Sequence, residues 1–187
     1  MEEHYDKIRR GETDIVLIAG NAADRLSGLD PLFQVEPGFN VLDIGCHEGF
    51  ILERLVRCGA GVIHGVDLHR PSLAAAARRL EGHPALLKHL DLCEGMAGLR
   101  RELPVSPRYD LLLYLGIHHH MARQMPADAL SAFVNELFPL TGRYLAIRTP
   151  ARFMEVLRQE PVMRRFRLVH RHDQNPNLSP VEIYEPI

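Results

Sequence analysis

Asn40-Val41-Leu42-Asp43-Ile44-Gly45-Cys46-His47-Glu48-Gly49-Phe50-Ile51-Leu52 decides the fold. An apolar run stops at an acidic residue, turns through two glycines and re-emerges as an amphipathic helix, which is the pattern of a strand, a tight loop and a helix. Gly45 lets the chain turn where a β-carbon would clash, and Gly49 lets the new helix pack close to the sheet or to a ligand. Such a loop leaves backbone N–H groups facing outward. The helix N-terminus attracts negative charge and the acidic side chain attracts positive charge, so the loop suits a small zwitterionic ligand. The plainer reading is an ordinary βα turn of an α/β protein, and this loop alone does not exclude it.

The next element narrows the choice. Gly61-Val62-Ile63-His64-Gly65-Val66-Asp67 reads as a second strand ending in an aspartate, which places Asp67 at the carboxyl edge beside the first loop. In nucleotide-binding α/β folds an acidic residue at the end of the second strand accepts hydrogen bonds from a ribose diol, and ligands sit at the carboxyl ends of the strands. A dinucleotide fingerprint needs Gly-x-Gly-x-x-Gly, whereas this chain has Gly45, His47 and Glu48 in those places. The dinucleotide reading weakens accordingly.

Asp43-Ile44-Gly45-Cys46-His47-Glu48-Gly49 resembles the first motif of the class I S-adenosylmethionine-dependent methyltransferases: an acidic residue, x, Gly, x, Gly, x, Gly. His47 stands where that motif has its middle glycine. Leu87-Lys88-His89-Leu90-Asp91-Leu92 looks like the family's third strand. Tyr109 to Met121 resembles its fourth strand and following loop, where many small-substrate members carry a Leu-His-His-Leu-like sequence. The resemblance covers residues 39 to 121. It implies a Rossmann-like, seven-stranded, mostly parallel sheet with helices on both faces and a reversed last strand. It also implies S-adenosyl-L-methionine as cofactor. The Gly45 to Gly49 loop would lie against the methionine half, Asp67 on the ribose hydroxyls and Asp91 near the adenine amino group. The full cofactor set so implied is Asp43, Gly45, Cys46, His47, Gly49, Asp67, Leu68, Asp91, Leu92 and Leu115.

Composition agrees with one enzyme domain: 187 residues, 46% hydrophobic and 25% charged, are enough to bury a core without staples. We expect a single domain with an N-terminal leader over 1–38 and the core over 39–187. No apolar run approaches the ~20 residues of a membrane span, and the polar start is not a signal peptide, so the default compartment is the cytoplasm. Cys46, Cys58 and Cys93 form no Cys-x-x-Cys pair, and an odd count argues against a disulfide framework. Cys46 reads as loop packing, not as a nucleophile.

Strand and helix patterns alternate downstream as a doubly wound sheet demands. Pro71 to Leu80 is helical by propensity, and Leu130, Phe133, Val134 and Leu137 make a helical stripe over Ala127 to Leu137. Arg143 to Arg148 reads as a fifth strand, followed by a short helix over Ala151 to Gln159. Arg165 to Arg171 and Pro180 to Glu185 then alternate with period two as a closing antiparallel pair. In the first of these, Arg165, Arg167, Val169 and Arg171 would share one face, a solvated strand face more often than a phosphate track. Before the core, Asp14 to Leu26 reads as a helix with Thr13 as a candidate cap. It would either pack on the sheet edge or fold over the cleft as a lid, bringing His4 and Tyr5 to it.

Of 11 histidines, three are consecutive: His118, His119 and His120. Neighbouring side chains in an extended or turning segment diverge, and no Cys or carboxylate spacing nearby completes a tetrahedron, so no metal is assigned. The functional alternative puts the run beyond the fourth strand, where cofactor methyl and acceptor meet, with His119 as general base or orienting group. The bland alternative is a polar loop.

A net charge of −2 lacks the basic balance of a dedicated nucleic-acid binder. The expected function is therefore in-line methyl transfer to a small molecule or a sugar or lipid intermediate, with phosphorylated or anionic acceptors left open. A catalytically silent S-adenosylmethionine-binding module and a nucleotide-dependent oxidoreductase are the alternatives. The sequence sets no oligomeric state.

Overall fold

The computed structural model describes residues 25–104, 108–175 and 178–187. Seven strands form one sheet: β1 (Val41–Ile44), β2 (Ile63–Asp67), β3 (Ala85–His89), β4 (Tyr109–Leu115), β5 (Thr141–Arg148), β6 (Phe166–His172) and β7 (Val181–Pro186). Their order is β3-β2-β1-β4-β5-β7-β6. The pairs β1–β2, β1–β4, β2–β3 and β4–β5 are parallel, while β7 runs antiparallel to both β5 and β6. Six strands thus point one way and the last is reversed. The chain steps outward from β1 to β3 and then returns to the other side of β1 at β4, so the strand order switches between β1 and β4. In open α/β sheets that switch opens a crevice at the carboxyl ends.

Among the described residues, six helices lie against the sheet: α1 (Phe50–Arg57), α2 (Arg70–Arg79), α3 (Gly95–Glu102), α4 (His118–Met121), α5 (Ala127–Leu137) and α6 (Ala151–Gln159). All four residues of β1 are buried, as a central parallel strand covered on both faces requires. Leu42 and Ile44 face a layer that includes Leu99 of α3, Phe133 and Val134 of α5 and Leu157 of α6. Val41 faces the other layer, with Leu52 and Leu55 of α1, Leu73 of α2, and Leu29 and Leu32 before the core. Leu52 and Leu55 recur at a three-residue step and are fully buried, each contributing roughly 1.5–3 kcal/mol from the area removed from water. Gly49 caps α1 in the left-handed region at φ 73, and a β-carbon there would lie 3.1 Å from that of Ala76, so this one residue sets both the turn and the α1–α2 approach.

Several expectations shift in detail. The second strand starts at Ile63, not Gly61, and the third ends at His89, not Leu92, so Asp91 lies beyond the strand. The histidine run is a one-turn helix, not an extended loop. The shared face of Arg165, Arg167, Val169 and Arg171 does not form. Arg164 and Arg165 belong to a 3-10 turn, and a register shift between Leu168 and His170 leaves Val169 as an extra residue. Beyond that bulge the alternation inverts, which turns Arg171 towards Glu182. Of the helix expected over Asp14 to Leu26, only Arg25 and Leu26 are among the described residues, and both are helical. No helix among the described residues is long and apolar enough to cross a membrane.

Candidate active site

The loop after β1 is built on one carboxylate. Asp67 closes β2, and its Oδ2 accepts the His47 backbone N–H at 2.8 Å while Oδ1 accepts that of His69 at 2.8 Å. Two amide bonds on a charged acceptor fix both carboxyl-edge turns, and carboxylate oxygens retain further lone pairs for a ligand. The backbone N–H groups of Gly45 and Cys46 donate to the carbonyl of Val66, at 2.9 and 3.0 Å. His47 itself adopts φ 49, the left-handed region that favours glycine. A histidine therefore occupies the family's middle-glycine position with the backbone conformation a glycine would take. Its Nδ1 lies 3.0 Å from Arg25 Nη1. Since a guanidinium only donates, Nδ1 accepts and Nε2 carries the proton. That Nε2 is buried without a partner, as is Nε2 of His69, whose own Nδ1 caps α2 at the Ser72 N–H.

Electrostatics set the loop apart from an ordinary βα turn. Asp43 is 3% exposed, and burial, reinforced by the charge of Asp67, pushes its pKa up to about 8. In neutral solution it holds a proton that a neighbouring cation would displace. The Cys46 thiol is pushed well above its ordinary range by burial and by the same two carboxylates, so it is no nucleophile. Arg79 braces the far side of the loop: its Nε donates to the Glu48 carbonyl at 3.0 Å, Nη1 pairs with Glu53 at 2.8 Å, and its Cζ stands 3.7 Å from the Phe50 ring centre.

Across the switch point, β4 ends at Leu115 and turns at Gly116, φ 74, whose N–H donates to the Arg148 carbonyl at 2.7 Å. Among the described residues, a β-carbon at Gly116 would meet nothing within 4 Å, whereas one at Gly45 would touch the Ile117 side chain at 3.5 Å. The loops after β1 and β4 therefore abut, with open space beside Gly116. Asp43, Gly45, Cys46, His47, Gly49, Asp67 and Leu68 lie together at the ends of β1 and β2. Leu90 N–H donates to the Asp67 carbonyl at 3.0 Å, tying the turn that carries Asp91 and Leu92 to the same edge. Asp91 Oδ1 accepts the Cys93 N–H at 3.0 Å, which caps a 3-10 turn.

The three histidines differ. His118 is 3% exposed, its Nδ1 stands 3.1 Å from the Tyr114 hydroxyl, and burial pulls its pKa down to about 4. It is a core residue. His119 is half-buried, stacks 3.9 Å from His120 and faces the Phe153 ring at 6.2 Å. Burial, then Arg123 and Arg152, lowers its pKa, so it is neutral at pH 7, and its Nδ1 has no partner. His120 is pulled down to about 4 by burial and Arg123. Among the described residues no group of three or more His, Cys, Asp or Glu side chains is arranged to hold a metal ion.

Arg25, His69, Arg79 and Arg148 escaped the sequence. Only Arg148 left a trace there, as a charge closing the apolar run Leu145-Ala146-Ile147 at a strand's carboxyl end.

A family model described as a methyltransferase domain matches residues 41–139. No curated protein matches the chain. Among solved structures the chain resembles magnesium protoporphyrin IX methyltransferase from Synechocystis with bound S-adenosylmethionine, at 17% identity over 98% of this chain and 91% of that one, TM-score 0.66. It also resembles the N-methyltransferase NodS from Bradyrhizobium japonicum in complex with S-adenosylhomocysteine, at 12% identity over 97% of both chains, TM-score 0.68. A TehB-like S-adenosylmethionine-dependent methyltransferase from Corynebacterium glutamicum shares 18% identity over 100% of this chain and 96% of that one, TM-score 0.59. With more than half of its residues in the matched domain, and the motif loop, the switch point and the reversed seventh strand in place, the chain belongs to the methyltransferase-domain family of the class I S-adenosylmethionine-dependent type.

Proposed function

We propose that this protein binds S-adenosylmethionine at the β1–β4 switch point and transfers its methyl group to a small-molecule acceptor, a sugar or lipid intermediate included. The observation that carries the reading is the Asp67 carboxylate, which clamps the glycine loop through His47 N–H and keeps lone pairs for ribose hydroxyls. Two features of the site fit the cofactor: a protonated Asp43 suited to exchange its proton for a cation, and, among the described residues, open space beside Gly116. Asp43, Gly45, Cys46, His47 and Gly49 would hold the methionine end, Asp67 and Leu68 the ribose, and Asp91, Leu92 and Leu115 the adenine. The bound cofactor supplies an already activated methyl group on a sulfonium.

What remains for the protein is to align an acceptor with the carbon–sulfur bond and exclude water. His119 sits after β4 as a half-buried, neutral imidazole, suited to take a proton from an acceptor hydroxyl or ammonium. Its neutrality comes at the cost of basicity, so it acts on acceptors that become acidic in the transition state. Calorimetry with S-adenosylmethionine and S-adenosylhomocysteine tests the binding. Absence of heat at millimolar ligand overturns the reading, and binding without turnover on any acceptor would leave a catalytically silent module.

A further inference from the structure

Residues 25–28 form a strap along the carboxyl edge of the sheet. At one end Gly28 presses on β6: a β-carbon there would fall 2.7 Å from that of His172, and Ser27 Oγ lies 3.1 Å from His172 Nε2. In the middle, Arg148 at the end of β5 holds the backbone, Nη1 donating to the Arg25 carbonyl at 3.0 Å and Nη2 to that of Ser27 at 2.6 Å. Among the described residues no carboxylate pairs with that guanidinium. At the other end the Arg25 side chain reaches the loop after β1, where Nη1 meets His47 Nδ1 at 3.0 Å and Cζ stands 5.3 Å from the Phe50 ring centre. β4 lies between β1 and β5, so a residue tied to both passes over the switch point, where ligands of this fold class lie.

The two fastenings respond differently to protons. Arg148 donates to carbonyls, and neither partner titrates near neutrality. The Arg25 fastening does titrate. A guanidinium has no acceptor atom, so this bond exists only while His47 Nδ1 keeps its lone pair. A proton there turns the acceptor into a donor and sets an imidazolium against a guanidinium. Among the described residues no carboxylate pairs with Arg25, and the Phe50 ring is shared with Arg79 at 3.7 Å, so repulsion would meet little opposition. Burial, then the charge of Arg25, lowers the His47 pKa from 6.5; His69 from the loop after β2 adds to this, while Asp67 at the end of β2 and Glu48 on the loop itself pull the other way. Arg79 of α2 is engaged with Glu53 and the Glu48 carbonyl. The imidazole is therefore neutral at pH 7 and takes its proton in mild acid.

We propose that Arg25 and His47 form a proton-operated latch on this strap: neutral His47 holds it closed over the switch point, and protonation of Nδ1 frees the Arg25 end and speeds exchange of the bound cofactor. The gating of exchange rests on the methyltransferase reading above; the latch itself does not. A histidine at the family's middle-glycine position thereby gains a task, since its backbone keeps the left-handed turn while its side chain makes a contact that glycine lacks.

The latch is tested by NMR on the full chain without ligand, following the imidazole signal lost in His47→Asn and the Arg25 Nε–H signal lost in Arg25→Lys. The pH is lowered from about 7.5 through the range in which circular dichroism shows the chain folded. His47 should start as the Nε2–H tautomer, and the Arg25 signal should move with the His47 midpoint. Arg25→Leu removes a cation and a donor from Nδ1, so it should raise that midpoint by about 0.5–1 pH unit. An Nδ1–H tautomer at neutral pH, or a midpoint indifferent to Arg25→Leu, overturns the latch. The gate is read from S-adenosylhomocysteine dissociation. Asp43 couples cofactor binding to pH in every variant, so the measure is the difference between wild type and His47→Asn. Asparagine tolerates the left-handed backbone and sets Oδ1 where Nδ1 stood, an acceptor that takes no proton. On acidification the wild-type rate should rise severalfold above that of His47→Asn, and Arg25→Leu should be fast throughout. A His47→Asn chain as pH-sensitive as the wild type overturns the gate. A wild type that binds no S-adenosylhomocysteine sinks the methyltransferase reading and the gate with it, while the tautomer and the midpoints still judge the latch.

Discussion

Acid should destabilise this protein through His118, and His118→Asn isolates the effect. The asparagine keeps a polar atom near the Tyr114 hydroxyl but does not titrate. In the fold the imidazole is held neutral by burial, with Glu160 opposing and His119 adding to the depression, and its pKa falls from 6.5 to about 4. Between those values the unfolded chain binds the proton and the native one does not, so stability rises with pH there. The contribution is complete above the unfolded value and is lost as pH falls towards the native one. With a native pKa of about 4, the wild type loses about 1 kcal/mol at pH about 5.5 and about 2 kcal/mol at pH about 4.5 relative to neutral solution. His119 and His120 are depressed as well and steepen the wild-type curve, but they remain in the variant and cancel in the difference. The chain has no tryptophan, so urea unfolding is best followed by far-UV circular dichroism. The gap between wild type and His118→Asn should be widest in neutral solution and narrow on acidification by those amounts. A gap that stays constant across this range would show that His118 is not held neutral in the fold.

Asp67→Ala removes the acceptor of two backbone amides and of the ribose, and should weaken S-adenosylhomocysteine binding by about 1.5–3 kcal/mol, read by calorimetry. His119→Ala should lower single-turnover rates by roughly 10² to 10⁴ with cofactor affinity nearly intact. A wild-type rate would remove His119 from the chemistry, and parallel losses of stability and affinity would mark it as packing. Glu182 is fully buried among Arg158, Tyr184 and, at 3.6 Å, Arg171; the Arg158 side chain is 40% exposed and rehydrates, so Glu182→Ala should cost about 1–3 kcal/mol in chemical denaturation, chiefly by leaving the buried Tyr184 hydroxyl without its acceptor.

The sequence was most legible where local chemistry and tertiary packing agree. The β1 loop combines an apolar run, an acidic stop and two glycines that the turn and the Ala76 contact require, and each signal is local. The helices Ala127–Leu137 and Ala151–Gln159 show an apolar stripe and came out with their expected bounds. Between Leu92 and Tyr109 no element was expected, yet α3 forms there, because Met96 and Leu99 gain burial against the sheet that its two glycines disfavour locally. The histidine run carried no helical signal of its own; its turn is fixed by Tyr114, packed beneath it, reaching His118 and Met121. The inversion in β6 was invisible, since a bulge at Val169 is decided by β7. Arg148 could be seen as a charge at a strand end, but its lack of a counter-ion among the described residues is a fact of three-dimensional neighbours.

The strand order also dictates a sequence of assembly. β6 touches the sheet only through β7, which enters between β6 and β5. Until β7 pairs, β6 has no partner and the edge of β5, with apolar Leu145, Ala146 and Ile147, presents unpaired amides and carbonyls of the kind that recruit strands from other molecules. β6 can therefore join the sheet only with β7 or after it. Conditions that slow that docking expose β5 to aggregation while the cofactor-loop half of the sheet, β3-β2-β1-β4, can already be complete.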